Sequence, residues 1–404
     1  MIGTGKDVAG ICSSLADEEF SIRFHGFSAL DMYMGLPALP FLWAETNADI
    51  SVLAGFFEHL RFPGAEVADG AVDTPEATCY FRCLDSDDVK ENVPSLSLFS
   101  FAYDWRTRRF LDPLGLYPLL RTVRDRKDFS IEDGETAASL PEISFNREAG
   151  RYRIIMDCAL LLARYNFPLA LSGFAETLEQ CRLAPPPGPE DQRAFLSCLL
   201  VSPRPDLGLK FLKRYGFVDE LWPELACFND VDHSKEFHPE GNVWNHTLET
   251  FQHRKAANNG AFDLRLSLGL LLHDAGKPIS ASYGNHRFDG HAELGARAAA
   301  RFLERLEFAP SLIDDVFFLV KNHMLPAALK RLPLARTGEI MASPLFPTLM
   351  ELYRCDESSS FKGLDGYYEN SAAYQAYLKN VRNPYRSADG KKIGRRAMVG
   401  NPRR

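Results

Sequence analysis

The run Leu266-Ser-Leu-Gly-Leu-Leu-Leu272, followed at once by His273 and Asp274, constrains this chain more than any other stretch. Seven residues fall far short of the ~18 apolar residues that span a membrane, so the run reads as an apolar helix that delivers a histidine and an aspartate at its end. Adjacent side chains on a helix point ~100° apart, and the two can flank one ion only where the helix is stopping. Gly276 and Pro278 supply that stop. Helix ends of this kind place polar groups at the rim of a helical bundle, where bundle metal sites are built.

The flanking sequence carries more of the same chemistry. His246 lies in Val-Trp-Asn-His-Thr-Leu-Glu, His291 opens Gly-His-Ala-Glu-Leu-Gly-Ala, His323 closes Val-Lys-Asn-His-Met-Leu-Pro, and Asp356 sits in Tyr-Arg-Cys-Asp-Glu-Ser. Imidazole and carboxylate together suit a borderline or hard divalent ion: Mn, Fe, Co, Ni or Zn, with Mg at the hard end. An ion so bound lowers the pKa of a water towards neutrality, which makes hydrolytic chemistry available near pH 7. Lys277 follows the His-Asp pair by three residues. Two readings stand for it: a cation for a substrate phosphate, or a residue at a helix C-terminus facing the dipole. A histidine by itself is more often a structural hydrogen-bonder, and His25, His59, His233, His253 and His286 are placed in that class.

At 404 residues, 46% hydrophobic and 25% charged, the chain is long enough for two or three domains and is neither disordered nor collagen-like. The first residues show no basic segment followed by an apolar one, so no signal peptide is expected. Eight cysteines without a Cys-x-x-Cys fit a reducing cytoplasm, and no membrane partner is expected. The net charge of −8 hides an asymmetry: Val381 to Arg404 holds eight basic residues (Arg382, Arg386, Lys391, Lys392, Arg395, Arg396, Arg403, Arg404) against Asp389. Such a tail attracts phosphate backbones or is simply a solvated terminus.

Strands are expected at Ser21–His25, Thr78–Cys83 and Ser97–Asp104, where Val, Ile, Phe and Tyr are dense. From about Phe145 the pattern turns helical, with apolar spacing over Arg153–Arg164. The stretch from Ala184 to Asp191 is proline-rich and reads as a loop. Ser311–Lys321 reads as a helix with a capping box from Ser311 to Asp314, and the end of the chain as weakly structured.

These residues are similar to a known family. His246, His273-Asp274 and Asp356 resemble the H…HD…D signature of the HD metal-dependent phosphohydrolase superfamily. His291 and His323 resemble the positions that add a second ion in two-metal members. The run from His238 through Trp244-Asn-His-Thr247 to His-Asp-Ala-Gly-Lys277 and Gly290-His-Ala-Glu293 looks like the HD region of bacterial tRNA nucleotidyltransferases, the CCA-adding enzymes. The resemblance implies one ion on His246, His273, Asp274 and Asp356, or two ions with His291 and His323 completing the second. With one ion, those last two histidines would touch substrate. Asp274 would also orient the attacking water, and His238 is expected in a supporting role. The fold implied is α+β: a small polymerase-β-like nucleotidyltransferase head (1–140), a mostly helical neck resembling an RNA-binding one (141–230), an all-α HD domain (231–365) and a basic tail (366–404).

The head resembles the family in outline. Phe101-Ala-Tyr-Asp104, Phe110-Leu-Asp-Pro113, Gly115 and Leu119-Leu-Arg121 resemble one family segment. Phe24 to Asp31 with Met34-Gly35 resembles the Gly-Gly loop, His25 standing at its first glycine. Ala163-Arg-Tyr-Asn-Phe167 resembles the end of the first neck helix. The family's catalytic Asp-x-Asp does not survive this comparison. Its two carboxylates share a strand face ~6.6 Å apart, and Phe41 and Trp43 stand there. Glu45 and Asp49 would lie ~13 Å apart on a strand, too far to replace them. Asp85-Ser-Asp87-Asp88 reads as a solvated turn, the "RRDF" segment reads Val93-Pro-Ser-Leu96, and the neck arginines that read the base read Ile154, Asp157 and Leu160. The expectation is a metal-dependent phosphohydrolase acting on a nucleotide, a 2′,3′-cyclic phosphate or an RNA end, with tRNA a candidate RNA partner. The alternatives are an active tRNA nucleotidyltransferase or poly(A) polymerase, and a non-catalytic RNA- or nucleotide-binding protein.

Overall fold

Alternation of buried and more exposed residues in its central strands organises the N-terminal sheet of this computed structural model, which describes residues 7–63, 68–75, 77–84, 94–125, 143–169, 171–231, 241–283, 288–360, 363–383 and 385–392. Six strands are present among them: β1 Ile22–His25, β2 Phe41–Thr46, β3 Gly70–Asp73, β4 Thr78–Cys83, β5 Ala102–Asp104 and β6 Arg109–Leu111, in the order β3-β4-β2-β1-β5-β6. Only β2 and β4 pair in parallel; the other neighbours are antiparallel. Period-two alternation sends Ile22, Phe24, Leu42, Ala44, Cys79 and Phe81 into a core with Ile11, Leu15, Leu53 and Phe57. The opposite face carries Arg23, His25, Phe41, Trp43, Glu45, Tyr80 and Arg82.

The chain divides into two units, 1–186 with 202–215 and 257–261, and 187–201 with 216–256 and 262–404. The 141–230 stretch, expected as a neck, is shared between them. Helices Arg151–Tyr165 and Pro205–Arg214 pack together in the first unit, and Pro189–Leu200 belongs to the second. Within the first unit, Tyr165 donates to Asp31 at 2.6 Å and the buried Arg164 pairs with the same carboxylate. Asp157 is buried and accepts from Ser95 Oγ at 2.6 Å and Arg153 Nε at 2.7 Å; Ile154 and Leu160 are core.

The second unit is helical among its described residues. Its centre is the helix Leu264–Leu272, in which every residue from Leu266 to Leu272 is buried, as a helix apolar on all sides requires. It packs against Pro310–Asn322 and Phe346–Ser358. Gly269 permits this, because a Cβ there would meet Leu352 and Leu319 at 3.0 and 3.2 Å.

Several local expectations are corrected. Ser97–Ser100 is a 3-10 turn that buries Leu98 and Phe99, and β5 starts only at Ala102. The proline-rich stretch is a loop only to Gly188, for Pro189 opens a helix at a position where its missing amide costs nothing. Ser311 lies inside the helix Pro310–Asn322, whose cap Ala309 has no side-chain acceptor, so the capping box does not form. Asp49 caps Ile50–Phe56 by accepting from Val52 N at 2.8 Å and is not on the strand with Glu45. The stretch after Gly363, expected as weakly structured, contains a helix over Asp365–Val381; residues 393–404 lie outside the described residues. No described helix is long and apolar enough to cross a membrane.

Candidate metal centre

Each candidate ligand of the second unit sits at or near a helix end. His246 is on Val243–Gln252, a helix capped by Asn242, whose side chain accepts from Asn245 N at 2.9 Å. His273 caps Leu264–Leu272, His291 starts His291–Arg305, His323 caps Pro310–Asn322 and Asp356 is in the last turn of Phe346–Ser358. The ladder leaves the last four carbonyls of a helix without amide partners. Imidazoles at these ends use nearby carbonyls: Nδ1 of His273 lies 2.8 Å from Leu270 O, that of His291 2.8 Å from Phe288 O and that of His323 2.7 Å from Val320 O. A carbonyl only accepts, so Nδ1 holds the proton and Nε2 presents a lone pair.

Those lone pairs converge. His246, His273 and Asp356 form one set and Asp274, His291 and His323 another, the ligand atoms of each within 4.8 Å of one another. Nε2 of His291 and of His323 are 3.1 Å apart, and Nε2 of His246 and of His273 3.4 Å. Two lone pairs aimed at each other across 3.1 Å repel unless a cation lies between them. A proton is a poor solution, because burial pushes the His323 imidazole down to about 4 and lowers His291 as well. The donor set, imidazole nitrogens and carboxylate oxygens, therefore fits one or two divalent ions.

Asp274 joins the sets. Its Oδ2 is 3.3 Å from His273 Nε2 and 3.9 Å from His246 Nε2, and its Oδ1 is 3.7 Å from His291 Nε2 and 4.0 Å from His323 Nε2. Burial pushes its carboxyl up, but His273 and Lys277 outweigh that and hold it well below the usual carboxylate range. Asp356 is lowered in the same way, burial being outweighed by the His246 hydrogen bond at 3.0 Å and the charge of His273. Lys277 Nζ bonds Asp274 Oδ2 at 2.6 Å. It opens the helix Lys277–Ser282, which excludes the C-terminal dipole reading. Gly276 is more than a helix stop. A Cβ there would lie 1.9 Å from His291 O and 2.6 Å from Gly295 N, so only glycine lets the His-Asp turn approach the His291 helix.

Of the other histidines, His25 pairs with Glu45 at 2.9 Å, His59 is exposed and His253 caps the His246 helix. His233, His238, His286 and Asp85-Ser-Asp87-Asp88 lie outside the described residues. Sequence reasoning missed Ser359, whose Oγ lies 3.3 Å from His246 Nδ1. Its only signal was a position one turn beyond Asp356.

Comparison with known proteins agrees with this geometry. Residues 243–351 match the HD domain family model. The chain is 32% identical over 201 residues to the CC-adding tRNA nucleotidyltransferase of Thermus thermophilus, covering 48% of this chain and 45% of that protein. It is 33% identical over 175 residues to the multifunctional CCA protein of Halorhodospira halophila, covering 41% of each. The matched stretches span less than half the length of these curated relatives. The crystal structure of the Bacillus stearothermophilus CCA-adding enzyme in complex with CTP aligns over 92% of this chain and 82% of that one, with a TM-score of 0.52 and 13% identity, a likeness of fold. Residues 243–351 form an HD domain, and about half of the chain is similar in sequence to tRNA nucleotidyltransferases.

In the N-terminal sheet, strand β2 carries Phe41, Trp43 and Glu45 on one face. Trp43 is 37% exposed and stacks on its partner Tyr80, with ring centroids 4.6 Å apart and planes at 16°. Phe41 lies 6.1 Å from the same ring. Among the described residues, both groups of His, Cys, Asp and Glu able to hold an ion are in the HD domain.

Proposed function

We propose that the HD domain of this tRNA nucleotidyltransferase relative is a metal-dependent phosphohydrolase acting on a nucleotide, a 2′,3′-cyclic phosphate or an RNA end. The observation that carries this reading is the pair of three-ligand sets meeting at Asp274. His246, His273 and Asp356 would hold one divalent ion and Asp274, His291 and His323 a second, each imidazole oriented by a hydrogen bond at Nδ1. When bound, the ions supply Lewis acidity and an activated water at neutral pH. Asp274 orients that water with its carboxylate. Lys277, 14% exposed beside Asp274, places a positive charge where a phosphoryl group would approach.

The relatives support a second reading more directly than this one. Their names describe addition of CC or CCA to tRNA, and nucleotidyl transfer to an RNA 3′ end is the activity they favour. The ring-bearing face of β2 favours hydrolysis over transfer. One experiment separates the two. Full-length protein loaded with Mn, Ni, Co or Mg is assayed on 2′,3′-cyclic AMP, a generic phosphodiester and nucleotides, and with labelled CTP and ATP on tRNA lacking its 3′ end. Asp274→Ala runs alongside. Hydrolysis that falls by ~10³-fold in the variant supports the HD centre. Label transferred to tRNA, unchanged in the variant, supports the second reading, and failure on every phosphoester sinks the first.

A further inference from the structure

We propose that Ser359 is a positioning residue for the metal centre: its hydroxyl holds His246 in the tautomer whose Nε2 lone pair enters the site. The argument is a proton count. Ser359 Oγ donates its one hydrogen to Asp356 O at 2.6 Å. Towards His246 Nδ1, 3.3 Å away, it can only accept. Nδ1 therefore carries the ring proton, and Nε2 is left as an acceptor 3.0 Å from Asp356 Oδ1, itself an acceptor, and 3.4 Å from His273 Nε2. Acceptors converging in this way form a cation site.

The other three imidazoles have the same tautomer set by backbone carbonyls three residues earlier. His246 lies within its helix, its amide on Asn242 O at 3.1 Å, and the Ser359 side chain does for it what backbone carbonyls do for the others. Ser359 is also well placed to do so. Capping Phe346–Ser358, with its amide 3.2 Å from both Cys355 O and Asp356 O, it ties His246 to the turn that carries Asp356, a ligand 110 residues away in sequence. It touches no reacting atom and acts through the imidazole.

This inference rests on the metal reading of the centre, and the test keeps the two apart. Zn(II) and Mn(II) affinities of the full chain are measured by competition with a chromophoric chelator for wild type, Ser359→Ala and Ser359→Thr. The His246 tautomer is read from ¹⁵N-histidine NMR of the metal-free wild type at alkaline pH. Ser359→Ala should weaken one ion by ~10–100-fold, Ser359→Thr should recover most of that, and His246 should carry its proton on Nδ1. Wild-type affinity in Ser359→Ala, or a wild-type His246 protonated at Nε2, overturns the proposal. The NMR result decides even if the alanine variant does not fold. A wild type that binds neither metal overturns the metal reading itself.

Discussion

The HD centre and the exposed face of the head sheet present opposite surfaces for chemistry. In the HD centre, four imidazoles and two carboxylates form two sets whose ligand atoms lie within 4.8 Å of one another, at a cost in desolvation and repulsion that a cation relieves. On the head, the face of β2 carries an indole and a phenyl ring beside the phenol of Tyr80. Rings satisfy each other by stacking and dispersion and need no ion. The family's carboxylates are expected on that strand face. On that face the sheet presents rings that stack on one another, while the HD domain holds the costly arrangement. An arrangement that lowers stability unless something binds is where function is expected.

The sharpest way to break the comparison is backbone crowding. Gly276→Ala drives a Cβ against His291 O and Gly295 N. It should destabilise the protein by about 3 kcal/mol or more and abolish metal binding together with hydrolysis, read by urea unfolding and metal competition. A stable variant with intact metal affinity would show that the His-Asp turn does not depend on that approach.

Acid should sharpen it next. Unfolded histidine titrates near 6.5 and His323 at about 4. Between those values the unfolded chain binds the extra proton, so the metal-stripped protein loses stability as pH falls, on the order of 3 kcal/mol from this residue alone. Asp274 and Asp356, both lowered, continue the loss below the ordinary carboxylate range. Thermal melts of chelator-treated protein between pH 7 and 4 check this, and saturating metal should flatten the dependence by binding the folded form. A flat profile without metal would mean the imidazoles are already relieved in some other way.

The smallest effect belongs to the head. Trp43→Ala removes a partly exposed ring that stacks on Tyr80 and should cost about 1 kcal/mol, leaving HD hydrolysis within about twofold. A hydrolysis rate that collapsed would show that the two regions are not chemically separate.

Much of this was legible in the residues. His246, His273, Asp274, His291, His323 and Asp356 stood out because ligating residue types recur at the ends of apolar helices, and the density of Val, Ile, Phe and Tyr marked Ser21–His25 and Thr78–Cys83 as strands. Short or hidden features were not legible. β3 and β6 are too brief to show a period, a proline opening a helix at Pro189 looks like one ending it, and a 3-10 turn at Ser97–Ser100 is as apolar as the strand it precedes. Ser359 was invisible because a serine beyond an aspartate becomes informative only when an imidazole from 113 residues away lies against it.

By itself the sequence determined which groups this protein can bring to a metal and which helices carry them, since ligand chemistry and hydrophobic periodicity are local properties. Only the tertiary structure decided how they divide. It split the adjacent His273 and Asp274 between two sets, tied Lys277 to Asp274, and put a serine hydroxyl against His246 Nδ1. Those outcomes depend on how closely helices far apart in the chain approach, which is set by packing at positions such as Gly269 and Gly276.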